Sequence, residues 1–223
     1  MSIFKDPEGS PDLFFSKQPS DIKRIERLLE LDANLFVIYM VRDPRSVITS
    51  IHSSKPDIYF CNFRVWKACN DAARRLLGHP QFICIHYEHL VQNGNSIQQQ
   101  IMDKFPFIEK MHGFSDYENF ANPSMKSLMA MGGLRELSAE RIHGWKNHLP
   151  RIKSELTKHP EMVNVLIEYG YEKDDAWTSI LDQVIPKKYK CRYPDTEPLL
   201  KTFGSKIRDW RKSRQYIIRH KLK

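Results

Sequence analysis

The strongest indication of the fold is the sequence LFVIYMVRDPRSVITS, residues 35–50. Its first seven residues are continuously apolar and rich in β-branched and aromatic side chains, which is typical of a strand buried on both faces of a parallel sheet. The turn Arg42-Asp43-Pro44-Arg45 follows at once, and a helix begins after it. We therefore predict a central strand over residues 35–41 that leads directly into a helix.

Similar patterns lie on either side of this strand. A short apolar run at residues 12–16 predicts a strand, and Ser20-Asp21 opens an amphipathic helix. Downstream, helical spacing of apolar residues predicts a helix over residues 59–77, and residues 82–87 read as a second strand. From residue 96 the chain is predicted to be mainly helical. The order βαβααβ followed by helices favours a three-layer α/β fold with a short parallel sheet and a helical C-terminal half.

Composition separates the chain into two unequal parts. The 223 residues are 41% hydrophobic and 28% charged, as in folded globular proteins, and the formal net charge is +8. Residues 185–223 hold 13 Lys and Arg against 3 Asp and Glu, whereas residues 1–184 hold 22 against 24. We therefore predict a domain over residues 1–184 and a basic, helical extension over residues 185–223, and we do not expect specific nucleic-acid binding from this charge alone.

Targeting and metal signals are missing from the sequence pattern. The longest apolar runs are far shorter than the roughly 20 residues of a bilayer span, and no signal peptide is visible in the given chain. The four cysteines, Cys61, Cys69, Cys84 and Cys191, show no metal-ligand spacing. We expect a cytoplasmic protein in a reducing compartment, with no membrane span and no metal site.

The turn after the strand at residues 35–41 is the candidate binding site. Ligands of open α/β sheets bind at the carboxyl ends of strands, and a helix start there can offer N–H groups and a positive dipole to an anion. Arg42 is placed to contact a phosphate, and Ser50, about two turns into the predicted helix, can join it if the loop folds back. The alternative is that Arg42 pairs with Asp43 or another acid and that Ser50 is an ordinary helix residue.

The motif strand-RDPRxVxxS resembles the 3′-phosphate-binding motif of sulfotransferases that use 3′-phosphoadenylyl sulfate (PAPS). Three further matches follow the family's order: FFSKQP at residues 14–19, HYEHLV at 86–91 and HGWKNHL at 143–149. The resemblance spans about residues 13–172 and implies a P-loop-like fold. It implies that Arg42 and Ser50 bind the 3′-phosphate of the donor, and that no metal is required.

The resemblance also implies roles for other residues. Lys17 matches a lysine that contacts the transferring sulfuryl group, and a fixed ammonium would stabilise charge on its oxygens. Tyr87 matches a tyrosine near the adenine, and Arg135, or Arg141, could supply a second phosphate contact. The alternatives are a solvated lysine at position 17 and a core tyrosine at position 87. Trp145 is predicted to pack within the helix that closes the nucleotide site.

Two features of the family's pattern are missing. The Gly-, Ser- and Thr-containing loop that cradles the 5′-phosphosulfate is not found among the nine glycines of the chain, so we expect an N-terminally truncated or degenerate member with impaired activity. The family's usual histidine two residues after the lysine is also missing. His52 is our candidate base, with Asp57 as a second one, and a solvated surface position is the alternative for both.

The function expected from the resemblance is transfer of a sulfuryl group from PAPS to a hydroxyl or amine of a small molecule or glycan. The expected alternative is a non-catalytic binding module whose basic extension contacts an acidic partner, such as a sulfated glycan or nucleic acid. The extension also carries apolar residues at helical spacing, which could instead dock on the domain.

Overall fold

The computed structural model describes most of residues 15–193 and part of the extension. The described residues are 15–17, 21–52, 55–110, 112–125, 128–129, 133–134 and 137–193, together with positions 207, 210, 211, 214, 215 and 218. Of residues 52, 55 and 141 only the backbone is described.

The described chain is a mixed α/β structure. Its strands are β1 (Val37–Val41), β2 (Ile51–His52), β3 (Lys55–Tyr59), β4 (Phe82–His86) and β5 (Lys190–Cys191). Its α-helices are α1 (Ile22–Leu29), α2 (Pro44–Ile48), α3 (Phe63–Arg74), α4 (Tyr87–Gln92), α5 (Gly94–Lys104), α6 (Tyr117–Phe120), α7 (Leu149–Lys158) and α8 (Met162–Glu168). Short 3₁₀ helices lie at Phe114–Asp116, Ala139–His148 and Ala176–Leu181.

The strand predicted from the opening motif pairs in parallel with β4. The register runs from Val37 opposite Phe82 to Val41 opposite His86, so the two strands end side by side. The prediction that this strand is central and buried on both faces is wrong for the described residues. There β1 has β4 as its only partner, and the side chain of Met40 is 46% exposed.

Helices pack against parts of both faces of the β1–β4 pair. On one face α1 and α3 build a core from Ile22, Leu29, Ala72, Ala73, Leu76 and Phe82. On the other face Ile97 and Ile101 of α5 pack with Ile85 of β4 and with Phe105. A third core joins the end of β1 to the helical second half through ten buried residues, among them Val41, Phe63, Trp66, Trp145, Ile152 and Leu166. Burial of these apolar side chains is the main force that holds the layers together.

The segment between α2 and α3 differs from the sequence prediction. Residues 51–52 and 55–59 form the antiparallel strands β2 and β3, and β5, which lies in the extension predicted to be helical, extends this sheet in parallel with β3. The predicted helix therefore begins at Phe63 rather than at residue 59. The Asn62 side chain sets this boundary by accepting a hydrogen bond from the backbone N–H of Val65 at 3.1 Å, which caps the helix.

The start of the described chain also differs from prediction. Residues 15–17 have no regular secondary structure, and Phe15 is 83% exposed, so the described part of the predicted strand at residues 12–16 is not a strand. The rest of that strand, residues 12–14, lies outside the described residues. Within the described ranges, no helix is both long and apolar enough to cross a bilayer.

Candidate nucleotide site

The turn after β1 is held by acidic side chains. The Asp43 carboxylate caps α2 by accepting from the backbone N–H of Arg45 at 2.7 Å, and Pro44 occupies the first helical position. The backbone N–H of Asp43 donates to Glu88 Oε1 at 3.0 Å. The expectation that this helix start offers free N–H groups to an anion therefore fails for these two groups, because carboxylates already accept from them.

Arg42 and Tyr87 are the two predicted binding residues that the fold brings together. Each directly follows its strand, and because Val41 lies opposite His86, the next residues meet at the same edge of the sheet. The guanidinium carbon of Arg42 lies 4.1 Å from the centroid of the Tyr87 ring. A guanidinium stacked on a ring keeps its N–H donors in its own plane, where they can bond an oxyanion.

The backbone of Arg42 is fixed by the neighbouring helix. Its carbonyl oxygen accepts a hydrogen bond from Trp66 Nε1 at 3.0 Å. Trp66 is 4% exposed and belongs to the core around the end of β1. The side chain of Arg42 thus projects from a backbone that core packing holds in place.

Arg45 forms a buried ionic cluster under the same turn. Its guanidinium, 3% exposed, bonds both oxygens of Asp43 at 2.7–3.1 Å and also Glu172. The rings of Trp145 and Trp177 lie against it, with centroids 4.1 and 4.8 Å from its central carbon. The prediction that Trp145 is a packing residue is confirmed, since it is 3% exposed.

Three residues at this turn were not predicted as site residues: Arg45, Glu88 and Glu172. Glu88 could have been found, because it directly follows Tyr87 in a matched motif. Glu172 gives no local signal, since it lies 127 residues from the arginine that it pairs with. A buried ion pair between distant residues leaves no periodicity in the sequence.

Ser50 and His52 do not lie in the predicted helix. The helix α2 ends at Ile48, so Ser50 is not two turns into a helix but follows it at an exposed position. The backbone of His52 belongs to β2, not to the helix, and its side chain is outside the described set. Asp57, the second candidate base, is exposed in β3.

The remaining predicted cations are not assembled into the site by any described contact. Lys17 is exposed, and no described contact joins it to Arg42 or Tyr87. Arg135 lies outside the described residues, and so does the side chain of Arg141. Among the described residues, no group of His, Cys, Asp and Glu is arranged to hold a metal ion.

A cavity of about 300 Å³ adjoins the ends of β1 and β4 on the face covered by α3. Burial, followed by the charge of His89, lowers the pKa of His86 in its wall, while Glu88 opposes this shift. Burial also raises the pKa of the Cys84 thiol to about 11. The residues that line this cavity include Tyr39, Arg74, Cys84, His86, Glu168 and Tyr169.

No protein-family model, no curated protein and no solved structure matches this chain. The function is therefore inferred from the residues themselves. These place one stacked guanidinium at the carboxyl end of a parallel strand pair, beside a phenol ring.

Proposed function

We propose that this chain carries the 3′-phosphate half of the nucleotide site of a PAPS-dependent sulfotransferase with a P-loop-like fold. The proposal is based mainly on the stacking of Arg42 on Tyr87 at the end of β1. Its support is chemical: a fixed guanidinium can bind a phosphate, and an aromatic ring can contact the flat face of an adenine.

The described residues fit the nucleotide as a binding partner. Arg42 would bind the 3′-phosphate through its planar fork of donors, and Tyr87 would contact the adenine. Ser50 and Arg135 are the proposed further phosphate contacts. Because acidic side chains already accept from the N–H groups of Asp43 and Arg45, the Arg42 side chain supplies the charge at this turn.

The proposed reaction moves a sulfuryl group from PAPS to a hydroxyl or amine of a small molecule or glycan; the bond from sulfur to the 5′-phosphate oxygen breaks and adenosine 3′,5′-bisphosphate leaves. When bound, PAPS supplies an activated sulfuryl group. Lys17 is proposed to stabilise negative charge on the sulfuryl oxygens, and His52 to accept the proton of the acceptor. A fixed ammonium is suited to that task because its charge need not reorganise as the oxygens gain charge.

The decisive measurement is calorimetric titration with adenosine 3′,5′-bisphosphate and, separately, with adenosine 5′-monophosphate. The wild type should prefer the bisphosphate. Replacing Arg42 by Ala should weaken bisphosphate binding by roughly tenfold to a hundredfold, because a hydrogen bond to a charged group is worth about 1.5–3 kcal/mol. Binding of the monophosphate should change little.

Two further variants control this titration. Arg42→Lys keeps the charge but loses the planar fork, so its affinity should lie between those of the wild type and Arg42→Ala. Arg27→Ala removes an exposed arginine of α1 and should leave binding unchanged. Failure of the wild type to bind the bisphosphate, or equal binding by Arg42→Ala, would overturn the proposal.

A transfer assay with PAPS labelled in its sulfuryl group tests the proposed catalysis separately from nucleotide binding. Labelled product from a panel of hydroxyl and amine acceptors, lost in Lys17→Ala, would support the proposed role of Lys17. Transfer that is unaffected by Lys17→Ala would contradict that role while leaving the phosphate site intact.

A further inference from the structure

The basic extension, residues 185–223, carries both many cationic side chains and several bulky apolar ones. Residues 185–223 carry a net charge of +10, from 13 basic and 3 acidic residues. In the same segment, bulky apolar residues recur at helical spacing, including Ile207, Trp210 and Ile218. At the helical spacing of residues 201–220, the bulky apolar side chains fall on one side and most of the cations on the other.

Positions 207, 210, 211, 214, 215 and 218 are helical in the structure. Residues 207, 210, 214 and 218 follow a spacing of three, four and four, which places them along one side of a helix. Within the described part of the chain, Ile207 is 41% exposed, Trp210 53% and Ile218 67%. These apolar side chains are therefore not buried against the domain.

The same side of the helix carries a stacked arginine. The guanidinium carbon of Arg214 lies 5.4 Å from the centroid of the Trp210 ring. An amphipathic ring next to a cation on a long stem suits the boundary between lipid headgroups and acyl chains, where the ring can be partly buried while the charge reaches a phosphate.

We propose that the helical face formed by Ile207, Trp210, Arg214 and Ile218 binds the surface of a bilayer that contains anionic lipid. The positive charge favours an acidic partner, and the exposed apolar residues favour a lipid bilayer over other acidic partners. A polyanion such as a glycan or nucleic acid offers its phosphates or sulfates to the cations but no apolar phase for Ile207 and Ile218. This proposal is independent of the nucleotide site.

Flotation of the full chain with vesicles tests the proposal. The chain should float with phosphatidylcholine vesicles that contain a minority of phosphatidylserine, and much less with pure phosphatidylcholine. Added salt should weaken the association. Trp66 and Trp145 are buried and Trp177 packs against Arg45, so a blue shift of tryptophan emission on binding should come mainly from Trp210 and should be lost in Trp210→Leu.

Paired substitutions separate lipid from polyanion binding. Ile207→Ser with Ile218→Ser keeps every charge, so it should lower vesicle partitioning by about tenfold or more while leaving retention on heparin unchanged. Arg211→Gln with Arg214→Gln should lower vesicle partitioning by roughly fivefold per charge and should also weaken heparin retention. These positions are exposed, so the thermal unfolding of all variants should match that of the wild type.

The matched control is Ile180→Ser with Ile185→Ser, two exposed isoleucines outside this helical face, 44% and 77% exposed. It should leave flotation unchanged. The proposal is overturned if the full chain does not float with anionic vesicles. It is equally overturned if the Ile207 and Ile218 substitutions do not affect flotation. Binding would then depend on charge alone, as expected of a general polyanion site.

Discussion

The guanidinium carbon of Arg42 lies 4.1 Å from the centroid of the Tyr87 ring, although the two residues are 45 positions apart in the chain. The parallel register of β1 and β4 causes this contact, because Val41 and His86 end their strands opposite each other. Arg42 is therefore held by its own strand on one side and by the first residue of α4 on the other.

Tyr87 should be important for its ring more than for its hydroxyl. Tyr87→Phe keeps the face on which Arg42 stacks, so binding of adenosine 3′,5′-bisphosphate should weaken by no more than about threefold. Tyr87→Leu removes the face and should weaken binding about three- to tenfold, because stacking of a cation on a ring contributes roughly 0.5–1 kcal/mol or more. Titration calorimetry measures both. Equal losses in the two variants would show that the hydroxyl is the important group.

Arg45 should contribute to stability rather than to binding. Replacing it by Met leaves Asp43 and Glu172 without their buried cation, and breaking such a pair on one side typically costs about 3–5 kcal/mol of unfolding free energy. Urea denaturation followed by circular dichroism measures this loss. The control is Arg75→Met, where the exposed pair with Glu26 should contribute less than about 1 kcal/mol. Similar losses in the two variants would contradict this assignment.

Local sequence patterns predicted the elements that depend on local spacing. The β1 strand, the amphipathic helix α1 and the β4 strand follow from apolar periodicity and from turn residues, and each forms within two or three residues of its predicted bounds. The antiparallel pair of β2 and β3 was missed because the sequence of residues 51–59 shows no clean alternation. A continuous apolar run does not specify how many strands flank it, and among the described residues β1 pairs with β4 alone.

The candidate site was predictable only in part, for a similar reason. Arg42 and Tyr87 each directly follow a strand, and two parallel neighbours must bring such residues to one edge. The displacement of Ser50 depends on where α2 ends. There the Thr49 hydroxyl donates to the carbonyl oxygen of Arg45 at 2.7 Å, and the helix stops after five residues. Periodicity cannot show so early an end.

The thiols of Cys61 and Cys84 should resist alkylation in the folded protein. Burial raises the pKa of Cys61 to about 12 and that of Cys84 to about 11, so very little thiolate is present at pH 8. Alkylation by iodoacetamide at that pH should be about a hundredfold or more slower than that of a free cysteine derivative. Peptide mass spectrometry over time measures the rate, and unfolding in urea should restore ordinary reactivity. Rapid labelling of either thiol in the folded protein would contradict its burial.

His86 should make the protein less stable as the pH falls. Burial and the charge of His89 lower its pKa in the folded state, so the unfolded state, with an ordinary pKa of about 6.5, takes up the proton first. The stabilisation from His86 is therefore complete above about pH 6.5 and is lost as the pH falls from there toward the folded pKa. His86→Gln should lose less unfolding free energy between about pH 7 and pH 5 than the wild type, by up to roughly 1.4 kcal/mol per pH unit.

His143→Gln, at an exposed position, is the matched control and should show the same fall in unfolding free energy as the wild type. Urea denaturation across this range measures the slopes, and parallel curves for the wild type and His86→Gln would show that His86 is not the titrating group.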